Sequence, residues 1–302
     1  MSAALIGVDW GTTNLRGWAF DTSGAVIARR ASPAGISAVT DGDFAAVLRS
    51  LVGEWADGRT PIVLGGMIGS RQGWHEVPYV ACPASTLALT AHALAFDTGM
   101  GPGWIVPGLS CIGGDGVADV MRGEEVQILG AEIAEGVAIL PGTHSKWVRI
   151  EGGAVRSFRT FMTGELFALL KGQSLLGRLM EEGEGDPKAF DAGVERALAD
   201  PALSALLFGV RTEGLFGRIA PHALADYLSG LLIGTEVRAA PEAGAVTIIG
   251  EGALVARYAR ALGLADGGRE IRIVSGDEAA SRGLCRIGMG LREGHIREGW
   301  SA

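Results

Sequence analysis

The stretch VDWGTTNLR, residues 8–16, decides the fold of this chain. Asp9 stands at the end of a strand-like run, Gly11 and two hydroxyl residues follow it, and Arg16 opens the next apolar run. Glycine lets the main chain approach an oxyanion closely, and successive N–H groups of such a turn form a concave array of donors. The pattern therefore predicts a strand–turn–strand unit whose turn suits phosphate.

The same pattern returns in the second half of the chain. Residues 136–160, GVAILPGTHSKWVRIEGGAVRSFRT, again predict strand, Gly-Thr turn, strand, Gly-rich turn and strand. Gly142 and Thr143 fall opposite Gly11 and Thr12. Because alternating helix and strand patterns follow each copy, we expect an α/β fold of two halves with one plan, residues 1–132 and residues 133–302.

Helical spacing predicts the helices that follow each copy. In the first half they cover residues 43–56, 85–96 and 117–133, and in the second half residues 163–180, 188–199, 221–239, 253–263 and a last helix from Asp277.

Composition excludes several classes of protein. The net charge of −8 argues against a surface for nucleic acid or anionic membrane, because phosphate backbones bind through clustered Lys and Arg. The three cysteines lack the spacing of a disulfide framework or a zinc site. The sequence shows no signal peptide and no long apolar run. We expect a cytoplasmic protein of about two domains that acts on a small molecule.

Two Gly-Thr turns would grip a polyphosphate from both sides. Asp9 could hold Mg²⁺, which favours one or two carboxylates beside phosphate oxygens. Arg16 and Lys146 could supply positive charge to the transferred group. Each turn taken singly is also what an ordinary hairpin shows, with Asp9 as the acid that starts the turn. Their occurrence in both halves favours the phosphate interpretation.

Several long segments resemble a known family. They are VDWGTTNLRGW, SPAGI, GGMIGSRQGWHEVPYVACPA, VPGLS, DVMRGEEVQILGA, LPGTHSKWV, FRTFMTGELFALL and YLSGLLIGTE, which run in order from residue 8 to residue 236. The chain is similar to the 2-dehydro-3-deoxygalactonokinase family of the sugar-kinase, heat-shock chaperone and actin superfamily. The resemblance implies two ribonuclease-H-like (actin-like ATPase) domains with an active-site cleft between them. It also implies ATP-dependent phosphorylation of the C6 hydroxyl of 2-dehydro-3-deoxy-D-galactonate.

The resemblance further implies roles for individual residues. The nucleotide and its Mg²⁺ would be held by Asp9, Gly11, Thr12, Thr13, Asn14, Gly142, Thr143, His144, Ser145 and Lys146, with Gly250 and Gly252 in the place of the adenosine motif. Glu251 departs from that motif, which leaves its contact with the ribose open. The last helix, about residues 277–292, would pack back toward the first lobe.

The base that accepts the hydroxyl proton must be a carboxylate, and residues 113–127 offer four acids: Asp115, Asp119, Glu124 and Glu125. In related sugar kinases the base is an Asp at the start of a helix, which favours Asp119 and places Asp115 second. The alternative is that Asp119 only stabilises a helix amino end.

The substrate is an acid, so a cation must meet its carboxylate. Arg71 can grip a carboxylate in two parallel bonds, with Ser70 as a donor and Trp74 as an apolar wall. Thr163 and Glu165 could bind sugar hydroxyls. The alternatives are a surface arginine, a core tryptophan and an acid in the first turn of a helix.

Other function classes remain open. An ATP-driven chaperone, a filament protein or a sugar-sensing regulator would share the fold but would need extra domains or a basic face. A kinase for another ketodeoxy acid or a neutral sugar shares every nucleotide argument. The oligomeric state is open, with a homodimer among the alternatives.

Overall fold

The computed structural model describes residues 3–239 and 244–298, with side chains as far as residue 292. The chain divides into two compact units. The first comprises Met1–Glu135, Arg149–Phe158 and Val274–Ala302, and the second comprises Gly136–Val148 and Arg159–Ile273.

The strands are β1 (Leu5–Trp10), β2 (Leu15–Phe20), β3 (Val26–Ser32), β4 (Ile62–Gly66), β5 (Val80–Ala81), β6 (Leu94–Asp97), β7 (Pro102–Ile105), β8 (Leu109–Ile112), β9 (Ala118–Met121), β10 (Gly136–Leu140), β11 (Ser145–Glu151), β12 (Ala154–Phe161), β13 (Val246–Ile249) and β14 (Ile271–Val274). The helices are α1 (Phe44–Val52), α2 (Thr86–Ala91), α3 (Glu124–Gly130), α4 (Thr163–Gln173), α5 (Pro187–Ala199), α6 (Leu203–Leu215), α7 (Leu224–Ala239), α8 (Gly252–Ala265) and α9 (Gly276–Glu298). None of these described helices is long and apolar enough to cross a membrane.

The two largest sheets share the order of five strands, and the first sheet has a sixth strand at its edge. The first has the order β3-β2-β1-β4-β7-β6 and the second the order β12-β11-β10-β13-β14. In each, the first strand of the meander pairs in parallel with a later strand, β1 with β4 and β10 with β13. The predicted repeat of strand, turn, strand, turn and strand is therefore confirmed, and the shared order extends beyond it.

Packing of α9 against β1 and α3 completes the core of the first unit. Gly7 of β1 lies against Leu284 of α9, where an added methyl group would meet the Leu284 Cβ at 2.9 Å. Gly130 of α3 lies equally close to α9, because a methyl there would be 1.8 Å from the carbonyl oxygen of Ala279. Glycine at these contacts lets α9 approach both strand β1 and helix α3 closely, so α9 has a fixed place beside β1.

Core residues of the second unit surround β10 and β13. Trp147, Ile233 and Tyr258 join the strand residues Ile139 and Ile248 in one buried cluster. A second cluster lies among α5, α6 and α7. Helices α5 and α7 pack through Gly193 and Gly230, whose Cα hydrogens face the partner backbone at distances that leave no room for a methyl group.

Two predicted helices are wrong in part. The segment 117–133 contains strand β9 before helix α3, because residues 113–116 form a hairpin turn in which the Gly116 N–H donates to the Gly113 carbonyl. Gly123 separates β9 from α3 with φ of 107°, a conformation that side-chain-bearing residues avoid. The segment 85–96 contains the short helix α2 and then strand β6, which pairs with β7. Helix α6 was not predicted.

Candidate active site

Asp9 and Arg16 face each other across the first hairpin, because the antiparallel register of β1 and β2 pairs them. The Nη2 atom of Arg16 donates to Oδ2 of Asp9. Both side chains remain partly exposed, 26% for Arg16 and 18% for Asp9. The strand register thus delivers an acid and a cation together to the base of the first turn.

The turn formed by residues 11–14 is tied from behind to residues 35–37. The N–H groups of Gly35, Ile36 and Ser37 donate to the carbonyl oxygens of Thr13, Gly11 and Thr12, at 3.1, 3.0 and 3.1 Å. Because these carbonyls are turned toward the protein, the exposed side chains of Thr12, Thr13 and Asn14 are available to a ligand. The turn is therefore held rigidly and presents its hydroxyl groups to solvent.

The side chains around the first turn, with Asp9 as their carboxylate, suit Mg²⁺ only when phosphate oxygens complete the coordination. Within residues 3–239 and 244–298, no group of three or more His, Cys, Asp or Glu side chains could hold a metal ion. Asp9 supplies one carboxylate, and Mg²⁺ commonly takes one or two carboxylates plus phosphate oxygens and water. A nucleotide that brings its own phosphate oxygens would complete the coordination.

The second turn, residues 142–144, connects β10 to β11, which begins with Ser145 and Lys146. Thr143 and His144 are exposed, whereas Ser145 and Lys146 are buried. The Nζ atom of Lys146 donates to the carbonyl oxygen of His144 at 3.1 Å. The N–H of Glu165, in the first turn of α4, donates to the Thr143 carbonyl at 3.0 Å. The amino end of α4 thus supports the turn.

Glu236 on α7 is the buried centre of this region. Its Oε1 accepts from Ser145 Oγ and Trp147 Nε1, each at 2.6 Å, and its Oε2 accepts from Thr163 Oγ1 and from Tyr258 OH at 2.7 Å. Burial raises the pKa of Glu236, and the four hydrogen bonds oppose that shift. One carboxylate therefore links the second turn to α4 and α8.

A pocket of about 870 Å³ lies within the second unit. Gly142 and Thr143 of the second turn line it together with Thr163, Ala253 and Tyr258. Its wall also contains the ion pair of Asp226 with Arg257 and the side chains of Lys171 and His222. Small-molecule sites commonly have volumes of ~300–1,000 Å³, so a nucleotide fits this pocket.

The predicted adenosine motif lies between β13 and α8. Gly250 has φ of 151° and Gly252 has φ of 73°, so both glycines hold conformations that most residues avoid. Helix α8 begins at Gly252, and Ala253 and Leu254 directly after it line the pocket. The motif therefore brings a helix amino end and exposed main chain to the pocket that contains the second turn.

Three residues predicted to bind the substrate lie in the loop after β4. Arg71 is 87% exposed, and its Nε lies 3.6 Å from Oε1 of Glu76. Trp74 stacks on Phe44 and meets Phe96 edge to face, so its ring belongs to the edge of the core. Ser70 Oγ is buried without a hydrogen-bond partner among the described residues.

Arg122 is the cation that lies under this loop. Its Nη2 donates to the Val77 carbonyl at 2.6 Å, and its guanidinium lies over the Tyr79 ring at 4.4 Å. The Nε and Nη1 atoms are buried and have no hydrogen-bond partner in the described structure. The Nη1 atom packs against Gly69, because a methyl group added to Gly69 would lie only 2.7 Å from Nη1. Unpaired buried donors of a cation are costly, so this arginine is set for an anionic partner.

The four acids predicted as candidates for the base fall on two elements, the β8–β9 hairpin and the start of α3. Asp115 is exposed at the tip of the β8–β9 hairpin, where its Oδ1 accepts from the Val117 N–H at 3.0 Å. Asp119 lies on β9 opposite Cys111, so its predicted position at the start of a helix is wrong. The acids at the start of α3 are Glu124 and Glu125.

Glu124 and Glu125 have different surroundings. Glu124 is half-buried, and its Oε2 accepts from the Arg122 N–H at 3.0 Å. Glu125 is fully buried, and burial raises its pKa to about 8. Gly123, directly before both acids, lies against Gly66 of β4, and Gly66 in turn lies close to Asp9. The amino end of α3 is therefore beside the first turn.

The side chains of Thr163 and Glu165 already have partners. The Thr163 hydroxyl donates to Glu236, and the Glu165 carboxylate meets His144 Nε2. Thr163 is buried and Glu165 is exposed. The His144–Glu165 pair lies at the surface of the second turn, where a phosphate could replace the carboxylate as partner of the imidazole.

Sequence reasoning missed the contacts of three residues. Glu236 is an acid near the end of the largely apolar helix α7, and an acid in an apolar helix often marks a buried polar centre. Arg122 stands directly before a glycine and two acids, and the sequence pattern there indicates only the acids as candidates for the base. The sequence indicates Asp277 only as the start of the last helix, yet in the fold it accepts from Arg16 Nη1 at 3.3 Å.

Known proteins resemble this chain along most of its length. The sequence model of the family described as 2-keto-3-deoxy-galactonokinase matches residues 9–287. A 2-dehydro-3-deoxygalactonokinase of Escherichia coli K12 is 37% identical over 293 residues, covering 95% of this chain and 98% of the relative. A Rhizobium meliloti protein assigned the same activity is 38% identical over 291 residues, covering 92% and 94%.

Solved structures extend the comparison to the fold. A Sinorhizobium meliloti protein assigned as 2-dehydro-3-deoxygalactonokinase has a TM-score of 0.88 and 34% identity, with 95% of this chain and 99% of that chain covered. An activator of 2-hydroxyisocaproyl-CoA dehydratase from Clostridium difficile, solved with bound ADPNP, has a TM-score of 0.50 and 12% identity over 99% and 98%, a likeness of fold alone. The predicted α/β class with two ribonuclease-H-like, actin-like ATPase units is confirmed. The chain belongs to the 2-keto-3-deoxy-galactonokinase family.

Proposed function

We propose that the protein transfers the γ-phosphoryl group of ATP to the C6 hydroxyl of 2-dehydro-3-deoxy-D-galactonate, in galactonate breakdown in the cytoplasm. The observation that carries the proposal is the pocket of about 870 Å³ in which a Gly-Thr turn and the amino end of α8 meet. Family membership supports the kinase class, and the pocket supports a nucleotide as the phosphoryl donor. The lobe boundary near residue 132 stays a prediction.

Nucleotide binding would use both Gly-Thr turns. In the second unit, Gly142 and Thr143 would meet phosphate oxygens, and Gly250 and Gly252 would lie against the nucleoside. Ser145 would position the turn through Glu236 and not contact the nucleotide. In the first unit, Thr12, Thr13 and Asn14 offer exposed polar groups from a turn whose carbonyls face away.

Charge on the transferred group would be offset by the first turn. Asp9 would hold Mg²⁺, which would supply positive charge to the phosphates. Arg16 provides a guanidinium beside the same carboxylate. Lys146 adds a buried cation in the second unit, held at the His144 carbonyl. These groups stabilise negative charge on phosphoryl oxygens as the bond to the leaving group breaks.

A carboxylate must take the proton of the attacking hydroxyl. The sequence offers four acids and favours Asp119, followed by Asp115. Of these four, Glu124 has the helix-start position on which the preference for Asp119 was based. We propose Glu124 as the first candidate, because Gly123 and Gly66 connect the start of α3 to Asp9. Asp119 is the second candidate.

The substrate carboxylate needs a cation near the loop after β4. Arg71 is almost fully exposed, so its charge is screened by solvent. Arg122 carries two unpartnered buried donors, of which Nη1 lies close to Gly69, and the hydroxyl of the next residue, Ser70, is also unpartnered in the described structure. We propose that the loop after β4 shifts and that Arg122 and Ser70 then bind the substrate carboxylate. Arg71 would contact the substrate at the solvent-exposed side of the same loop. We also propose that Thr163 and Glu165 bind hydroxyl groups of the sugar.

The test is ADP release in Mg-ATP with a panel of acceptors. The panel contains 2-dehydro-3-deoxygalactonate, its gluconate epimer, glucose, N-acetylglucosamine, glycerol and no acceptor. We expect turnover with the galactonate acid, and phosphorus NMR of the product shows whether C6 carries the phosphate. Turnover with a neutral sugar alone would contradict the acid site, and turnover without an acceptor would indicate an ATPase.

A further inference from the structure

We propose that Asp277 is a positioning residue for phosphoryl transfer: it holds Arg16 at the first turn when Mg²⁺ and phosphate compete for Asp9. The inference rests on the proposed kinase function and adds a residue from the last helix to the first phosphate turn.

Arg16 is shared between two carboxylates of the first unit. Its Nη2 donates to Oδ2 of Asp9, and its Nη1 donates to Oδ1 of Asp277 at 3.3 Å. Arg29 Nη2 donates to the same Asp277 oxygen at 2.8 Å. Asp277 is 16% exposed, whereas Arg29 is 54% exposed. The less exposed part of this cluster therefore runs from Asp9 through Arg16 to Asp277, and Arg29 lies on its exposed side.

The fold fixes Asp277 relative to Asp9. Asp277 is in the first turn of α9, and that helix packs on β1 through the close contact of Leu284 with Gly7. Asp9 lies two residues after Gly7 on the same strand. Because strand and helix belong to one packed unit, the two carboxylates keep their separation, and Arg16 is held between fixed points.

Competition at Asp9 gives Asp277 its importance. A cation that binds the Asp9 carboxylate competes with Arg16 Nη2 for the same group, since one carboxylate has a limited number of lone pairs. Asp277 continues to hold the Nη1 edge, so the Nη2 edge stays near the first turn and can meet a phosphoryl oxygen. Without Asp277, Arg16 pairs more strongly with Asp9 and opposes Mg²⁺ binding.

Glu278 offers a matched control. It is the next residue in the same helical turn and is also acidic, but its carboxylate pairs with Arg282 on the exposed face of α9. Loss of the charge at residue 278 changes the helix amino end in the same way as loss at residue 277. The difference between the two variants therefore reports on the contact with Arg16.

The experiment compares wild type, D277N, D277E and E278Q. Initial rates are measured against Mg²⁺ at fixed ATP and sugar acid, and thermal unfolding is measured with AMPPNP at increasing Mg²⁺. We expect D277N to lower kcat about 10- to 100-fold and to raise the half-saturating Mg²⁺ at least threefold in both assays. D277E should recover part of both effects, and E278Q should stay within twofold of wild type.

Several outcomes would overturn the inference. Equal behaviour of D277N and E278Q would do so, and so would a D277N defect that lowers thermal stability and rate with unchanged Mg²⁺ dependence, because that is a structural role. If D277N does not fold, an unchanged Mg²⁺ dependence in D277E decides against it. Failure of the proposed function is seen separately: wild type would then not phosphorylate the acid, while the AMPPNP measurement still tests Asp277.

Discussion

The hydroxyl of Ser145 donates to Oε1 of Glu236 over 2.6 Å, which ties the second phosphate turn to helix α7. Glu236 also accepts from Trp147, Thr163 and Tyr258, so these four donors are all neutral groups. A carboxylate can accept at about four lone-pair sites, and this one is fully used. The position of the turn therefore depends on an acid 91 residues away in the chain.

We predict that E236Q weakens nucleotide binding more than acid binding. Glutamine replaces one acceptor oxygen with an NH₂ group that faces donors, which leaves buried donors unsatisfied at about 1–3 kcal/mol each. The turn then loses its fixed place, and KM for ATP should rise at least about tenfold. Steady-state kinetics with each substrate varied in turn measures the effect.

S145A is the milder companion variant of E236Q. It removes one donor and leaves the other three partners of Glu236 in place, so its effect on KM for ATP should be smaller and in the same direction. Equal rises in KM for ATP and for the sugar acid in E236Q would contradict a role limited to the second turn.

Much of the fold follows from local pattern. The two meanders were predictable because alternating apolar residues and Gly-Thr turns are local signals, and the parallel pairing of β1 with β4 follows the usual βαβ logic. The position of Asp119 was not predictable, because the glycines of residues 113–116 suit a loop before a helix as well as a hairpin turn. Pairing of β9 with β8 decides between these alternatives, and it is a tertiary contact.

Contacts between distant residues were also invisible in the sequence. Glu236 meets Ser145, and Asp277 meets Arg16, only after helices α7 and α9 have packed on their sheets. Sequence spacing identifies Arg71 and Arg122 equally well as cations. Their burial separates them, because Arg71 projects into solvent and Arg122 lies beneath the loop.

Removal of the Arg122 charge should affect the acid substrate selectively. We predict that R122Q raises KM for the sugar acid at least tenfold and changes KM for ATP less than threefold, since a charged hydrogen bond contributes about 1.5–3 kcal/mol. R71Q, at an exposed position, should change either constant less than threefold. If R71Q has the larger effect on the acid, the carboxylate binds at the surface of the loop.

The proposed base is tested by two amide substitutions. E124Q should lower kcat about 10²- to 10⁴-fold while the affinity for ATP is kept, because a general base contributes that factor. D119N should stay within about threefold of wild type, because its carboxylate lies on β9. Single-turnover phosphoryl transfer at saturating substrates separates the chemical step from product release. The reverse pattern would assign the proton transfer to Asp119.

Glu125 should make stability depend on pH. Its folded-state pKa is raised from 4.5 to about 8 by burial, so between these values the folded protein holds a proton that the unfolded chain has lost. Its contribution to the free energy of unfolding is therefore fully present below about pH 4.5 and is lost as the pH rises through 8. Urea unfolding of wild type and E125Q between pH 5 and 8.5 measures this. The wild-type curve should fall relative to the variant, and parallel curves would contradict the prediction.

Close packing behind the first turn should make Gly35 sensitive to a single methyl group. In G35A the new carbon would lie 2.3 Å from the Thr12 carbonyl oxygen, so either residues 35–37 or the turn must move. Overpacking of this kind costs about 1–3 kcal/mol, and displacement of the turn should also raise KM for ATP. G114A is the matched control, because a methyl there meets nothing within 4 Å. Thermal unfolding and ATP kinetics should separate the two variants. Equal values would mean that the backbone around residue 35 yields without moving the phosphate turn.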